Sequence, residues 1–214
     1  MRRRCATGLL SALVVAGLVC AAASAAASPD DDYREASAAY RRGDMNTAVA
    51  TLQRGSDAGH VPSMLLLAYI FEQASLDSQA VAVYRKATAA GSTDGAVGLA
   101  GMVAAGKGTA RDTAEALRLY ESAAAQGNPT ATNALAQAYI SGTLGLTAAA
   151  RDNTKAIAAI RRAAEGGYAP ASDALARAYT RGDFGVTTDA AEAARWQTRK
   201  GTEPKASTTT QAPR

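Results

Sequence analysis

Little in these 214 residues invites chemistry. The two cysteines are Cys5 and Cys20, so everything beyond position 20 must hold together without a disulfide or a thiolate metal site. One histidine, His60, cannot furnish a zinc centre alone; in GHVPS it reads as a loop residue beside a helix end. No serine stands in a pattern that marks a base held against it. The glycines of GTLG, GDFG and GKG lack the G-x-x-x-x-G-K-[ST] order of a phosphate loop. Asp30-Asp31-Asp32 lacks the spacing of a calcium loop and reads as a solvated entry that favours a helix start. Aromatics make up 5% of the chain, too few to suggest a sugar-stacking surface. The expectation is no enzyme, no cofactor and no metal.

Long apolar runs are missing too. Arg2, Arg3 and Arg4 precede a short apolar stretch, Leu9 to Cys20, and then the small-residue sequence AAASAAASPD. This is the layout of a secretory signal peptide, residues 1–27 with cleavage near Ala27, and it is too short for a membrane span. The expected location is periplasmic, with secretion or a lipid anchor through Cys20 as alternatives; bulky Val19 before Cys20 argues against the anchor. Residues 1–27 hold three arginines and no acidic residue, which leaves 20 basic against 19 acidic residues in the mature chain. That near-neutral balance excludes a composition-level case for nucleic acid or an anionic membrane. No transmembrane helix is expected in the mature chain.

What the chain does have is alanine and repetition. TATNALAQAY is echoed forty residues later by PASDALARAY. Ala131, Ala134, Leu135, Ala138 and Tyr139 recur at the spacing of one helix face, as do Ala171, Ala174, Leu175, Ala178 and Tyr179. Val61, Met64, Leu65, Ala68 and Tyr69 read as an earlier copy, Gly95, Gly98, Leu99, Met102 and Val103 as a weaker one, and Ala36 with Tyr40 as the first. These segments are denoted helix A. A helix B follows each time, with Asp44, Asp112, Asp152 or Asp189 as its expected N-cap. Glu115 and Glu192 stand where a capping box places its glutamate. The B helices close on Gly59, Gly91, Gly127 and Gly167, and Pro62, Pro129 and Pro170 open the next A helix. The closing glycines are 32, 36 and 40 residues apart, and the variation lies in the A-to-B turn. The spacing therefore predicts an all-α solenoid of about five helix–turn–helix units over residues 28–201, with a disordered tail at 202–214. Tyr139 and Tyr179 are expected to be wedges between A and B.

The pattern A-x-x-L-A-x-A-Y-x-x-G-x-x-G-[LV], then D-x-x-x-A, then A-A-x-x-G, resembles the Sel1-like repeat, a relative of the tetratricopeptide repeat. The resemblance runs from about Tyr33 to Gly201 and is fullest at 129–167 and 170–201. The segment 93–127 carries GKGTARDTAEA in the turn, and the first two copies, with short turns, look closer to plain tetratricopeptide units. Trp196 in the last copy, without the A-A-x-x-G close, reads as a terminal cap. The resemblance implies a right-handed solenoid and adaptor work, as in polysaccharide-secretion assemblies, flagellar motor accessories or regulators of envelope sensor kinases. Cysteine-rich members have been linked to β-lactam handling, and their paired cysteines are absent here. A helices usually line the concave side, so the expected protein-binding positions are Arg41, Gln73, Asn133, Gln137, Arg177 and Arg181. Envelope glycan is the alternative partner, to be favoured if Tyr33, Tyr168 or Phe184 proves exposed.

Overall fold

The computed structural model describes residues 28–199, which form ten α-helices. They are α1 (Pro29–Arg41), α2 (Met45–Asp57), α3 (Val61–Gln73), α4 (Asp77–Ala89), α5 (Thr93–Ala105), α6 (Thr113–Ala125), α7 (Pro129–Ser141), α8 (Asn153–Glu165), α9 (Ala169–Arg181) and α10 (Ala190–Arg199). The expected signal peptide with both cysteines, and the expected tail with Gly201, lie outside the described residues. Among the described residues no helix is long and apolar enough to cross a membrane. Each helix packs on the next in chain order, and A helices also touch across repeats, α1 with α3, α5 with α7 and α7 with α9. Five hairpins thus stack in one row.

Helices α1 to α9 have 13 residues each, so positions can be compared along the row. The eighth residue of every A helix is a buried alanine: Ala36, Ala68, Ala100, Ala136 and Ala176. The fourth residue of every B helix is another: Ala48, Ala80, Ala116, Ala156 and Ala193. A single methyl lets the backbones approach closely and loses no rotamer freedom. Between repeats the contact is tighter still. A Cβ added to Gly55 would stand 2.4 Å from Ser63 Oγ, and one added to Gly95 would stand 2.7 Å from Ala87 Cβ. Larger side chains fill what remains, with Leu67, Leu99, Leu135 and Leu175 buried at one shared position of α3, α5, α7 and α9. One core cluster runs through the first three hairpins to Ala116, another occupies the last two, and Ala123, Ala131 and Leu135 lie in a third between them.

The four aspartates cap as their positions predict, each accepting from backbone N–H groups in the first turn of α2, α6, α8 or α10. The reciprocal half of the capping box is not made. The Asp112 N–H donates to the Val103 carbonyl and the Asp189 N–H to the Tyr179 carbonyl, so the donor a glutamate would take instead closes the hairpin. The closing glycines Gly59, Gly91, Gly127 and Gly167 sit at φ of 83°, 85°, 87° and 89°. After each, the next residue donates back to a carbonyl five residues earlier, ending the B helix.

Three expectations need correction. The second copy is out of register by two residues. Counting twelve from the closing glycine places Phe71, not Tyr69, with Val103, Tyr139 and Tyr179. Tyr69 is accordingly 42% exposed and Leu65 only half-buried. The aspartate run is not simply solvated: Asp32 is buried and accepts from Arg54 at 2.9 Å, Asp31 accepts from Arg34, and Asp30 reaches His60. Tyr179 is half-buried rather than wedged in, its hydroxyl facing the Arg161 guanidinium.

Burial raises the phenols of Tyr84, Tyr120 and Tyr139, and the nearby carboxylate of Glu72 adds to this for Tyr84, those of Glu121 and Asp152 for Tyr139. Unfolded tyrosine titrates near its ordinary value of 10.0, so the unfolded chain loses these protons first. These phenols should therefore leave stability unchanged from pH 8 to about pH 10 and make it fall as pH rises beyond that. Urea midpoints measured from pH 8 to 12 test this. The fall should be shallower in Tyr84→Phe, and an equal fall in that variant would show that Tyr84 is not involved.

Candidate partner-binding site

The large apolar side chains left most exposed among the described residues are Met45 (44%), Leu76 (45%) and Tyr69. They gather at one place. Met45 opens α2, Leu76 sits in the turn between α3 and α4, and both line a cleft of about 700 Å³ between α2 and the C-terminal half of α3. Val49, Ala50 and Asn46 of α2 form one wall, and Ile70, Phe71 and Ala74 the other. Tyr40 of α1, Gln53 and Gln73 complete it, and no charged residue is among the lining. The Tyr40 phenol is pushed upward by burial and then by the neighbouring Tyr69, so Tyr69 lies beside the cleft next to Tyr40. An apolar concavity with a few amide side chains is the usual composition of a recognition pocket.

A smaller groove, with parts of about 240 and 400 Å³, runs between α6, α7 and α8. Glu121, Lys155, Arg162 and Asn133 make it polar. At the end of the row, α9 and α10 enclose a third cleft of about 390 Å³ lined by Thr180, Thr188, Asp189 and Gln197 among others.

One cluster resembles catalytic machinery. His60 is not a bare loop residue but the N-cap of α3, with Nδ1 2.8 Å from Ser63 Oγ and Nε2 3.1 Å from Asp30 Oδ1. The sequence marks no base against a serine, yet the fold supplies one. Ser63 is nevertheless fully buried, at the Gly55 contact where even a methyl would collide. A nucleophile needs space for the carbonyl it attacks, and this hydroxyl has none. The array, with Tyr33 edge-on to the imidazole at 5.8 Å, ties the start of α1 to the start of α3. Among the described residues no group of three or more His, Cys, Asp or Glu is placed to hold a metal ion.

The six positions expected to bind a partner are not brought together. Gln73 lines the apolar cleft, and exposed Arg41 follows its wall residue Tyr40. Asn133 lies on the polar groove, while Gln137, Arg177 and Arg181 are exposed on α7 and α9. Gln137 accepts from the Tyr168 hydroxyl at 2.9 Å. Met45, Val49, Phe71 and Leu76 were not anticipated. Their signal was the shortness of the turn after Phe71, together with Met45 as the first residue of α2 and Leu76 where the other B helices carry a capping aspartate. The aromatics that would favour a glycan are each engaged: Tyr33 with His60, Tyr168 with Gln137, and Phe184 under the Arg151 guanidinium at 4.1 Å.

No protein-family model matches the chain, and no curated protein sequence is significantly similar to it. Solved structures are. A Sel1 repeat protein from Oxalobacter formigenes superposes with a TM-score of 0.64 at 18% identity, covering 84% of this chain and 72% of that one. The protein c5321, a protective antigen of uropathogenic Escherichia coli displaying an SLR fold, gives 0.69 at 25% identity over 81% of this chain and 38% of that longer one. A Sel1 repeat protein from Klebsiella pneumoniae subsp. pneumoniae gives 0.51 at 22% identity over 80% and 85%.

Proposed function

We propose that this chain, a Sel1-like repeat protein by fold, is a non-catalytic scaffold that holds another protein, with the uncharged cleft between α2 and α3 as the principal contact. The observation that carries this is that Met45 and Leu76, two of the three large apolar side chains exposed among the described residues, line a single cleft, with the third, Tyr69, beside its lining residue Ile70. Exposed apolar patches of this kind mark association sites. Arg41 and Gln73 stand at its border; Asn133, Gln137, Arg177 and Arg181 would serve only a partner long enough to continue along the row. The pattern of residues 1–27 supports a bacterial-envelope location for this work, and the N-terminal sequence of the chain recovered from cells tests that export.

The test uses the tagged chain as bait in envelope extract of its own organism. Ala50 is exposed on α2 and lines the cleft, so Ala50→Arg fills the cleft with charge at no cost to the core. Ala50→Arg and Met45→Glu should lose the retained protein while circular dichroism and melting temperature stay unchanged. Retention by both variants, with loss in Gln137→Ala or Arg177→Ala, would move the site from the cleft to the row of A helices.

A further inference from the structure

We infer that the cleft is the vacated seat of an inter-repeat turn, and that it takes from a partner protein an uncharged tight turn carrying leucine or phenylalanine beside glycine. This rests on the scaffold reading above and specifies its partner. The later repeats show the seat occupied. In each, the long A-to-B turn folds back onto the preceding hairpin, reaching the start of its B helix in the α5–α6 and α9–α10 turns. Gly108, in the turn between α5 and α6, lies so close to α4 that an added Cβ would stand 2.3 Å from the Asp77 carbonyl carbon. Leu144, in the turn between α7 and α8, packs against the core cluster that includes Ala116 of α6. Phe184, in the single 3₁₀ turn Asp183–Gly185 between α9 and α10, lies under Arg151 at the start of α8, and Gly185 faces Asn153.

The last two turns share a construction. Leu144 and Phe184 take left-handed backbone at φ of 54° and 57°, followed by Gly145 at 79° and Gly185 at 72°. Large side chains rarely adopt that conformation unless their surroundings hold them there, and here the docked side chain supplies the hold. The turn between α3 and α4 is only Ala74–Leu76, too short to fold back over α2. The start of α2 is therefore bare, and Met45, Asn46, Val49 and Ala50 line the cleft instead of touching a turn. The α10 start is likewise uncovered among the described residues, and a cleft opens there too, but with Asp189 and three other polar residues in its lining besides tyrosine. Only the α2 seat is free of charge, so its complement is an apolar, uncharged segment. The seat is continuous in position with three interfaces the chain already makes with itself.

The probe is a cyclised peptide displaying GTLGLT, the sequence of residues 142–147, titrated into the full chain with the Met45 methyl followed by NMR. Saturable shifts at Met45 are expected, abolished by Ala50→Arg in the chain. Replacing the peptide's first leucine by alanine should weaken binding roughly tenfold or more, as for an anchor side chain in a pocket. A second variant grafts residues 142–151 in place of Ala74–Leu76; it should bury Met45 and no longer bind the peptide. Absence of saturable shifts, or shifts that survive Ala50→Arg, would overturn the inference. If the peptide fails while Ala50→Arg still abolishes retention of the protein partner, the cleft remains the scaffold's site and only the turn mimicry is lost. If the chain instead dimerises through a contact broken by Ala50→Arg, the occupant is a second copy and the inference is wrong.

Discussion

Leu175→Ala is expected to destabilise the C-terminal repeats by about 2–5 kcal/mol, the range for removing a fully enclosed leucine. Leu175 has no exposed surface and belongs to the cluster with Ile160, Tyr139 and Trp196. That cluster serves the last two hairpins, while the first three are held by their own. In a stacked row each unit is stabilised mainly by its neighbours, so the loss should stay local. The chain has a single tryptophan, Trp196, buried in the affected cluster, which makes its fluorescence a report on that end alone. Its urea midpoint should drop by the whole amount. Far-UV circular dichroism should instead become biphasic, with the later phase near the wild-type midpoint. If both probes move together by the same amount, the clusters are one cooperative core. A loss under about 1 kcal/mol would show that the site relaxes around the gap and that Leu175 is not the wedge its burial implies.

The repeated features were legible because each has a local cause that the sequence spells out. Asp112 before a helix, Gly127 after one and Pro129 at the next start act through groups a few residues away, and all three are placed as expected. The register of the second copy was not legible from hydrophobic spacing. VPSMLLLAYIF is apolar on several faces, so more than one set of i, i+3, i+4 positions fits it. The closing Gly59 resolves the ambiguity, because the same count that reaches Tyr139 from Gly127 reaches Phe71. Buried Ala136 and Ala176 were missed for a related reason. A helix packed against two neighbours buries more than one stripe, and periodicity reveals only the stronger. The cleft carries no motif of its own because it arises from a turn that repeat two does not have, so only the short spacing after Phe71 signals it. Asp30, His60 and Ser63 meet across 30 residues, and no local pattern marks such a meeting.

Tyr139→Ala and Tyr69→Ala, which the apolar pattern treats as equivalent, should differ by most of the larger effect. Tyr139 is 4% exposed, in contact with the cluster that holds Ile160 and Leu175. Its removal should cost about 3–5 kcal/mol, as for other buried aromatics truncated to alanine. Tyr69 is exposed, so Tyr69→Ala should stay within about 0.5 kcal/mol. Paired urea titrations decide the matter, with Phe71→Ala as the internal standard. Phe71 is half-buried against the first core cluster while also lining the cleft, and its loss should fall between the other two. Should Tyr69→Ala prove as costly as Tyr139→Ala, the two-residue correction to the second repeat is wrong and Tyr69 is a core wedge. The cleft would then lose the exposed aromatic beside it. If Phe71→Ala is costly and Tyr69→Ala silent, the same result also frees Tyr69 for contact, because a ring that contributes nothing to stability is available to a partner.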